Sequence, residues 1–151
     1  MRARDFFESV REASREAERT RHTIMRMEGN ERPRGMSLHV GGGSSRTDAI
    51  QPSDRLMDYE AMMRRRIDGD WALIDRACVV LYGEDQMGGG GLCADRSSAW
   101  ADVLYHRYVD ALRWAEVGDL LGYSERQCKR MADDALGWMD ETEYASALMV
   151  V

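Results

Sequence analysis

Residues Leu112 to Leu136 read LRWAEVGDLLGYSERQCKRMADDAL, two short runs of helical periodicity that meet at a glycine and a serine. Gly122 takes the left-handed C′ conformation without the steric cost that other residues carry, so the helix from Trp114 to Leu121 is expected to stop and turn there. Ser124 is placed to cap a new helix at once, and Gln127 can reach back to the Ser124 backbone in a capping-box arrangement. Two helices locked at a fixed angle follow from that spacing. Val117 and Leu121 face inward from the first, and Gly118 is the small residue where the two cross. Cys128, Met131 and Ala135 face inward from the second. This is the pattern of a helix-turn-helix.

The outward positions at the start of the second helix are Glu125, Arg126, Gln127, Lys129 and Arg130. These side chains suit contact with phosphates and hydrogen bonding to guanine and adenine edges. Arg126, Gln127 and Arg130 are the expected base contacts. Ser124, Lys129 and Arg113 are the expected phosphate or positioning contacts, and Tyr123 and Glu125 complete the candidate DNA-binding set. The plainer reading is a tight helical hairpin with a solvated charged face, the common fate of a charge run.

Against a DNA-binding role stands a formal net charge of -6. The charge is segregated, however. Arg113 to Arg130 carries four basic and three acidic residues, whereas Met131 to Val151 carries five acidic and no basic ones. A recognition helix that enters the major groove by its first turns tolerates acid at its far end. Asp140, Glu141 and Glu143 are expected to oppose DNA binding without forming part of the site. Few phosphates can be neutralised by one chain, so affinity per monomer should be low and a homo-oligomer would raise it through effective concentration.

The 151 residues, 44% of them hydrophobic, suit one domain or a small domain with a helical extension. With 32% charged residues, two prolines and eleven methionines, the composition favours helix over sheet, and the fold class is read as all-α. No apolar stretch is long enough to cross a bilayer, and MRARDFFESVREASREAERTR is too acidic for a signal peptide, so a cytoplasmic protein without membrane contact is expected. Cys78, Cys93 and Cys128 are odd in number and far apart, which indicates reduced thiols and neither a disulfide framework nor a zinc site.

Ahead of the opening stretch, Phe6, Val10, Ala13, Ala17, Thr20, Ile24 and Met27 follow an alternating four-three step, the seam of a long helix over 2–27. The Gly-, Ser- and Pro-containing segment 29–52 has no sustained period and reads as a long connection. A second helix should then follow Ser53 or Asp54 as its N-cap and place Leu56, Met63, Ile67, Ile74, Ala77 and Leu81 in a helix-helix seam, within one chain or between two, running through Gly69 or bending gently there. Together these predict a coiled-coil-like antiparallel hairpin over 1–82, expected to oligomerise. Residues 82–97 read as a second breaker, after which Trp100, Val103, Leu104 and Tyr108 mark a short helix. The helix-turn-helix domain is placed at 95–140 and an acidic tail at 141–151.

No catalytic group is apparent, because no serine or cysteine has a recognisable base partner, so no enzyme is expected. His22, His39 and His106 are scattered and lack metal-ligand spacing, and no metal or other cofactor is expected. Gly88 to Gly91 lacks the lysine and hydroxyl residue of a phosphate-binding loop and reads as a flexible connection, as does Gly41 to Gly43. Met62, Met63, Trp71, Tyr82 and Trp100 fit helix packing, with partner binding the alternative.

The stretch YHRYVDALRWAEVGDLLGYSERQCKRMADDAL, Tyr105 to Leu136, resembles the promoter-reading C-terminal helix-turn-helix of bacterial sigma factors, and more closely the phage-encoded regulators of the RinA and ArpU type. The resemblance is carried by Arg107, Tyr108, Trp114, Gly122, Tyr123, Ser124, Arg126, Gln127, Arg130, Ala135 and Leu136. It implies a sequence-specific, double-stranded-DNA-binding transcriptional regulator of a phage or prophage. The chain departs from that family at Arg113, where a serine or threonine cap is usual, at Gly118, where alanine is usual, and at Asp133 and Asp134. The first two departures are expected to weaken the helix. Two other functions fit the same layout: a small DNA-recognition subunit of a phage packaging terminase, and a sigma-like adaptor that binds RNA polymerase or another protein.

Overall fold

The computed structural model describes residues 1–29, 52–144 and 146, and every described element is helical. In chain order these are α1 (Ala3–Glu28), α2 (Pro52–Tyr82), α3 (Gly91–Asp95), α4 (Ser98–Leu104), one turn of π-helix (Tyr105–Val109), α5 (Trp114–Leu121) and α6 (Glu125–Thr142). The fold is all-α, as the composition predicts.

The long-helix periodicities hold. Phe6, Val10, Ala13, Ala17, Thr20 and Ile24 are all buried along α1, as are Met63, Ile74, Ala77 and Leu81 along α2, while Leu56 and Ile67 are half-buried. The four-three rule missed Ala3 and Phe7, both wholly buried, because the buried stripe at the start of α1 is wider than a two-position seam. The second helix begins at Pro52, so Ser53 and Asp54 lie in its first turn and not ahead of it. Proline suits that position because its missing N–H would be unpaired there in any case. Helix α2 runs through Gly69 without a break. The long connection and Gly41 to Gly43 fall outside the described residues.

By contacts the chain divides into two compact units, Met1–Arg15 with Asp70–Val151, and Glu16–Gly69. These boundaries differ from those read in the sequence. Periodicity followed each helix along its whole length, whereas the contacts change partway along both. In the second unit Ala17, Thr20, Ile24 and Met63 are buried and Arg64 pairs with Glu28.

The first unit holds the main core. Ala3, Phe6, Phe7 and Val10 of α1 join Ile74, Ala77, Val80 and Leu81 of α2, Leu92 of α3, and Ala101, Val103 and Leu104 of α4. Tyr108, Val117, Cys128, Ala132, Ala135, Leu136 and Met139 complete it. Tyr108 is the hinge of this packing: its ring centroid lies 5.7 Å from that of Phe7 and 6.5 Å from that of Trp114. The helix-turn-helix therefore shares its core with the first turns of α1 and is not a module confined to 95–140.

The second breaker is more ordered than its composition suggests. It contains α3, and a Cβ placed on Gly91 would lie 2.7 Å from the Val80 carbonyl oxygen. The chain packs backbone to backbone against the end of α2, an approach that only glycine permits, so Gly88 to Gly91 is not simply a flexible connection. Ser97 then caps α4 by accepting from the Trp100 N–H at 3.2 Å. Two of the expected packing residues remain outside the core: Met62 is 46% exposed and Trp71 48% exposed.

Candidate nucleic-acid interface

The turn between α5 and α6 is built by Gly118, Gly122 and Ser124. Gly122 has φ of 81° and ends α5, donating its N–H to the Gly118 carbonyl at 2.8 Å; the Tyr123 N–H reaches the same oxygen at 3.0 Å. The Ser124 hydroxyl accepts from the Gln127 N–H at 3.1 Å and so caps α6. A Cβ on Gly118 would stand 2.5 Å from the Tyr123 carbonyl oxygen. Gly118 is therefore a condition of the close crossing, and an alanine would collide here.

Arg113 lacks the hydroxyl of an ordinary cap, yet α5 is not left open. Glu116 Oε1 accepts from the Arg113 N–H at 3.0 Å and from Arg113 Nε at 3.1 Å. Those two hydrogen bonds, the backbone one first, hold the Glu116 carboxyl below its usual range. The glutamate supplies the return half of a capping box without its usual partner, so the expected weakness at Arg113 is offset.

Cys128, Ala132, Ala135, Leu136 and Met139 form the buried stripe of α6, while Met131 and Leu121 are half-buried at its margin. Ser124, Glu125, Arg126, Gln127, Lys129 and Arg130 are exposed and Tyr123 is half-buried. Lys129 Nζ lies 3.3 Å from Glu125 Oε1, one turn back along the helix. Arg126 and Arg130 form no ion pair among the described residues. Arg113 sits at the start of α5, with its side chain 79% exposed and its guanidinium beside Glu116. The α6 residues are thus exposed together on its first turns, while Arg113 stands at the start of α5.

The acid of α6 has a use that the sequence did not reveal. Asp133 Oδ1 lies 2.5 Å from Arg4 Nη2, and Asp140 Oδ1 accepts from the Ala3 N–H at 2.8 Å, capping α1 from 137 positions away. Helix α6 itself runs to Thr142, past the expected start of the tail. Beyond it the Tyr144 ring lies 5.3 Å from that of Trp138, and its hydroxyl is pushed up to about 12 by burial and by a hydrogen bond to Asp95. Residues 140–144 are therefore partly built into the first unit. Part of the negative charge serves the fold.

All three cysteines are free, and burial raises the Cys128 thiol. No group of metal-ligating side chains is present among the described residues. His22 lies 3.1 Å from Glu18 and His106 2.7 Å from Asp110, while His39 is outside the described residues. No helix among the described residues is long and apolar enough to cross a membrane. Comparison with protein-family models, curated proteins and solved structures finds no match to this chain.

Proposed function

We propose that this protein is a sequence-specific DNA-binding transcriptional regulator of phage or prophage origin, working in the cytoplasm as a homo-oligomer. The observation that carries the reading is the turn itself. A left-handed Gly122 and a Ser124 cap set α6 at a fixed angle, with Arg126, Gln127 and Arg130 exposed on its first turns and the buried stripe opposite. A helix presented in this way offers its N-terminal side chains to the major groove, while the preceding helix crosses the phosphate backbone. Arg126, Gln127 and Arg130 read bases, and Ser124 and Lys129 fix the register. Arg113 is a weaker phosphate contact than the sequence suggested, because Glu116 already engages it.

The test is titration of Arg126→Ala and Arg130→Ala against a duplex selected by the wild-type chain. Each substitution should weaken specific binding by about 1 to 3 kcal/mol if the arginine is bidentate to a base. Unchanged affinity in both, with the helical signal intact, would sink the DNA reading. The adaptor reading draws on a separate observation, Leu120, which is 58% exposed on α5 beside Asp119. An apolar side chain there suits a protein surface such as RNA polymerase better than a phosphate. Binding to the polymerase but to no duplex would favour it.

A further inference from the structure

Two arginines, Arg15 and Arg107, lie near a third, Arg11, beside the helix-turn-helix, with two carboxylates, Glu8 and Glu12, set against the three. The Ser14 hydroxyl donates to the Val109 carbonyl at 2.6 Å, which ties α1 to the end of the π-helical turn. Arg11, one turn earlier on α1, lies near enough to Arg107 and Arg15 for their charges to lower its pKa, after the larger effect of burial. Glu8 and Glu12 oppose that shift without reversing it. Glu12 is also shared with Arg15, at 3.9 Å. Both Arg11 Nε and Arg107 Nε are buried with no hydrogen-bond partner among the described residues.

Arg107 is held rigidly: Nη1 donates to the Leu112 carbonyl at 3.1 Å, and the guanidinium lies 4.5 Å from the centroid of the Trp114 ring. Trp114 is the first residue of α5, so the arginines flank the start of the helix-turn-helix. A guanidinium whose Nε is buried without a partner, as in Arg11 and Arg107, costs a fold that gains nothing from it. A phosphate supplies acceptors in the fork geometry that guanidinium groups match.

We propose that Arg11, Arg15 and Arg107 form a seat for a phosphate of the DNA backbone, which extends the interface from the helix-turn-helix onto α1. This rests on the DNA-binding reading and deepens it. The seat adds to the phosphate contacts made from α6, which are few for an acidic chain, and it gives α1 a part in the interface as well as in the core.

The experiment follows the full chain bound to a duplex as salt is raised, with Arg11→Gln, Arg15→Gln and the charge-keeping Arg11→Lys beside wild type. Each glutamine variant should bind several-fold more weakly at low salt, equally on all sequences, and reduce the slope of log affinity against log salt by about one. Arg11→Lys should keep the slope. Without DNA, Arg11→Gln should not lower the unfolding midpoint, since it relieves repulsion; if it does unfold the chain, exposed Arg15 carries the test. Wild-type slope in both glutamine variants overturns the seat and leaves the DNA reading standing. No duplex binding by wild type at any salt overturns both. Inorganic phosphate that raises the unfolding midpoint more than chloride at equal ionic strength reassigns the seat to a small anion and overturns the DNA assignment.

Discussion

Gly118 shows how one missing methyl group sets the geometry of the turn between α5 and α6. Alanine has the better helix propensity by about 1 kcal/mol, but here its Cβ would meet a backbone carbonyl, which cannot swing aside as a side chain can. Overpacking of this kind typically costs about 1 to 3 kcal/mol, so Gly118→Ala should lower stability on balance. Gly137 lies on α6 with open space around it, nothing standing within 4 Å of where an alanine methyl would sit, and Gly137→Ala should instead stabilise by about 0.5 to 1 kcal/mol. Urea unfolding of the two variants checks the pair; stabilisation by both would remove the close approach as the reason for glycine at 118. The sequence marked Gly118 as a crossing residue from its spacing alone. It could not say how close the crossing is, because that depends on where the Tyr123 carbonyl comes to rest.

Helix α6 carries opposite charges along its length, and the two ends do different work. Its first turns expose Arg126, Gln127 and Arg130, whereas Asp133 and Asp140 further on pair with Arg4 and cap Ala3 at the start of α1. Asp140→Ala should therefore cost about 1 kcal/mol of stability, in the range of a lost helix cap, while Glu141→Ala should change stability by less than about 0.5 kcal/mol. Thermal unfolding distinguishes them, and equal effects would mean that the Asp140 contact contributes nothing. The helix-turn-helix was legible in the sequence because its signals are local: a glycine, a cap and a buried stripe within one stretch. The partners of Asp133 and Asp140 were not, since they lie more than a hundred residues away and no periodicity links them. The same holds for Arg11, whose place beside Arg107 depends on packing between distant elements.

Across the whole molecule, the first turns of α1 complete the core on which α5 and α6 rest, through Phe6, Phe7 and Val10. Reading the chain as a separate hairpin followed by a DNA-binding domain hides this dependence. Removing residues 1–52 to test oligomerisation would also remove that part of the core, so the full chain is the proper object for every binding experiment. Net charge of -6 does not decide the matter, because the charge is unevenly placed along α6: its first turns expose Arg126, Lys129 and Arg130, while Asp133 and Asp140 further on are engaged by Arg4 and by the start of α1. The most direct measurement is selection by the full chain from a pool of random-sequence duplexes at about 0.1 M salt, where surface charge is screened beyond roughly 10 Å. A sequence-specific regulator should enrich a short motif, and Arg126→Ala with Arg130→Ala should abolish that enrichment while leaving the unfolding midpoint in place. Recovery of duplexes with no common motif, or of no duplex at all, would contradict the proposed function.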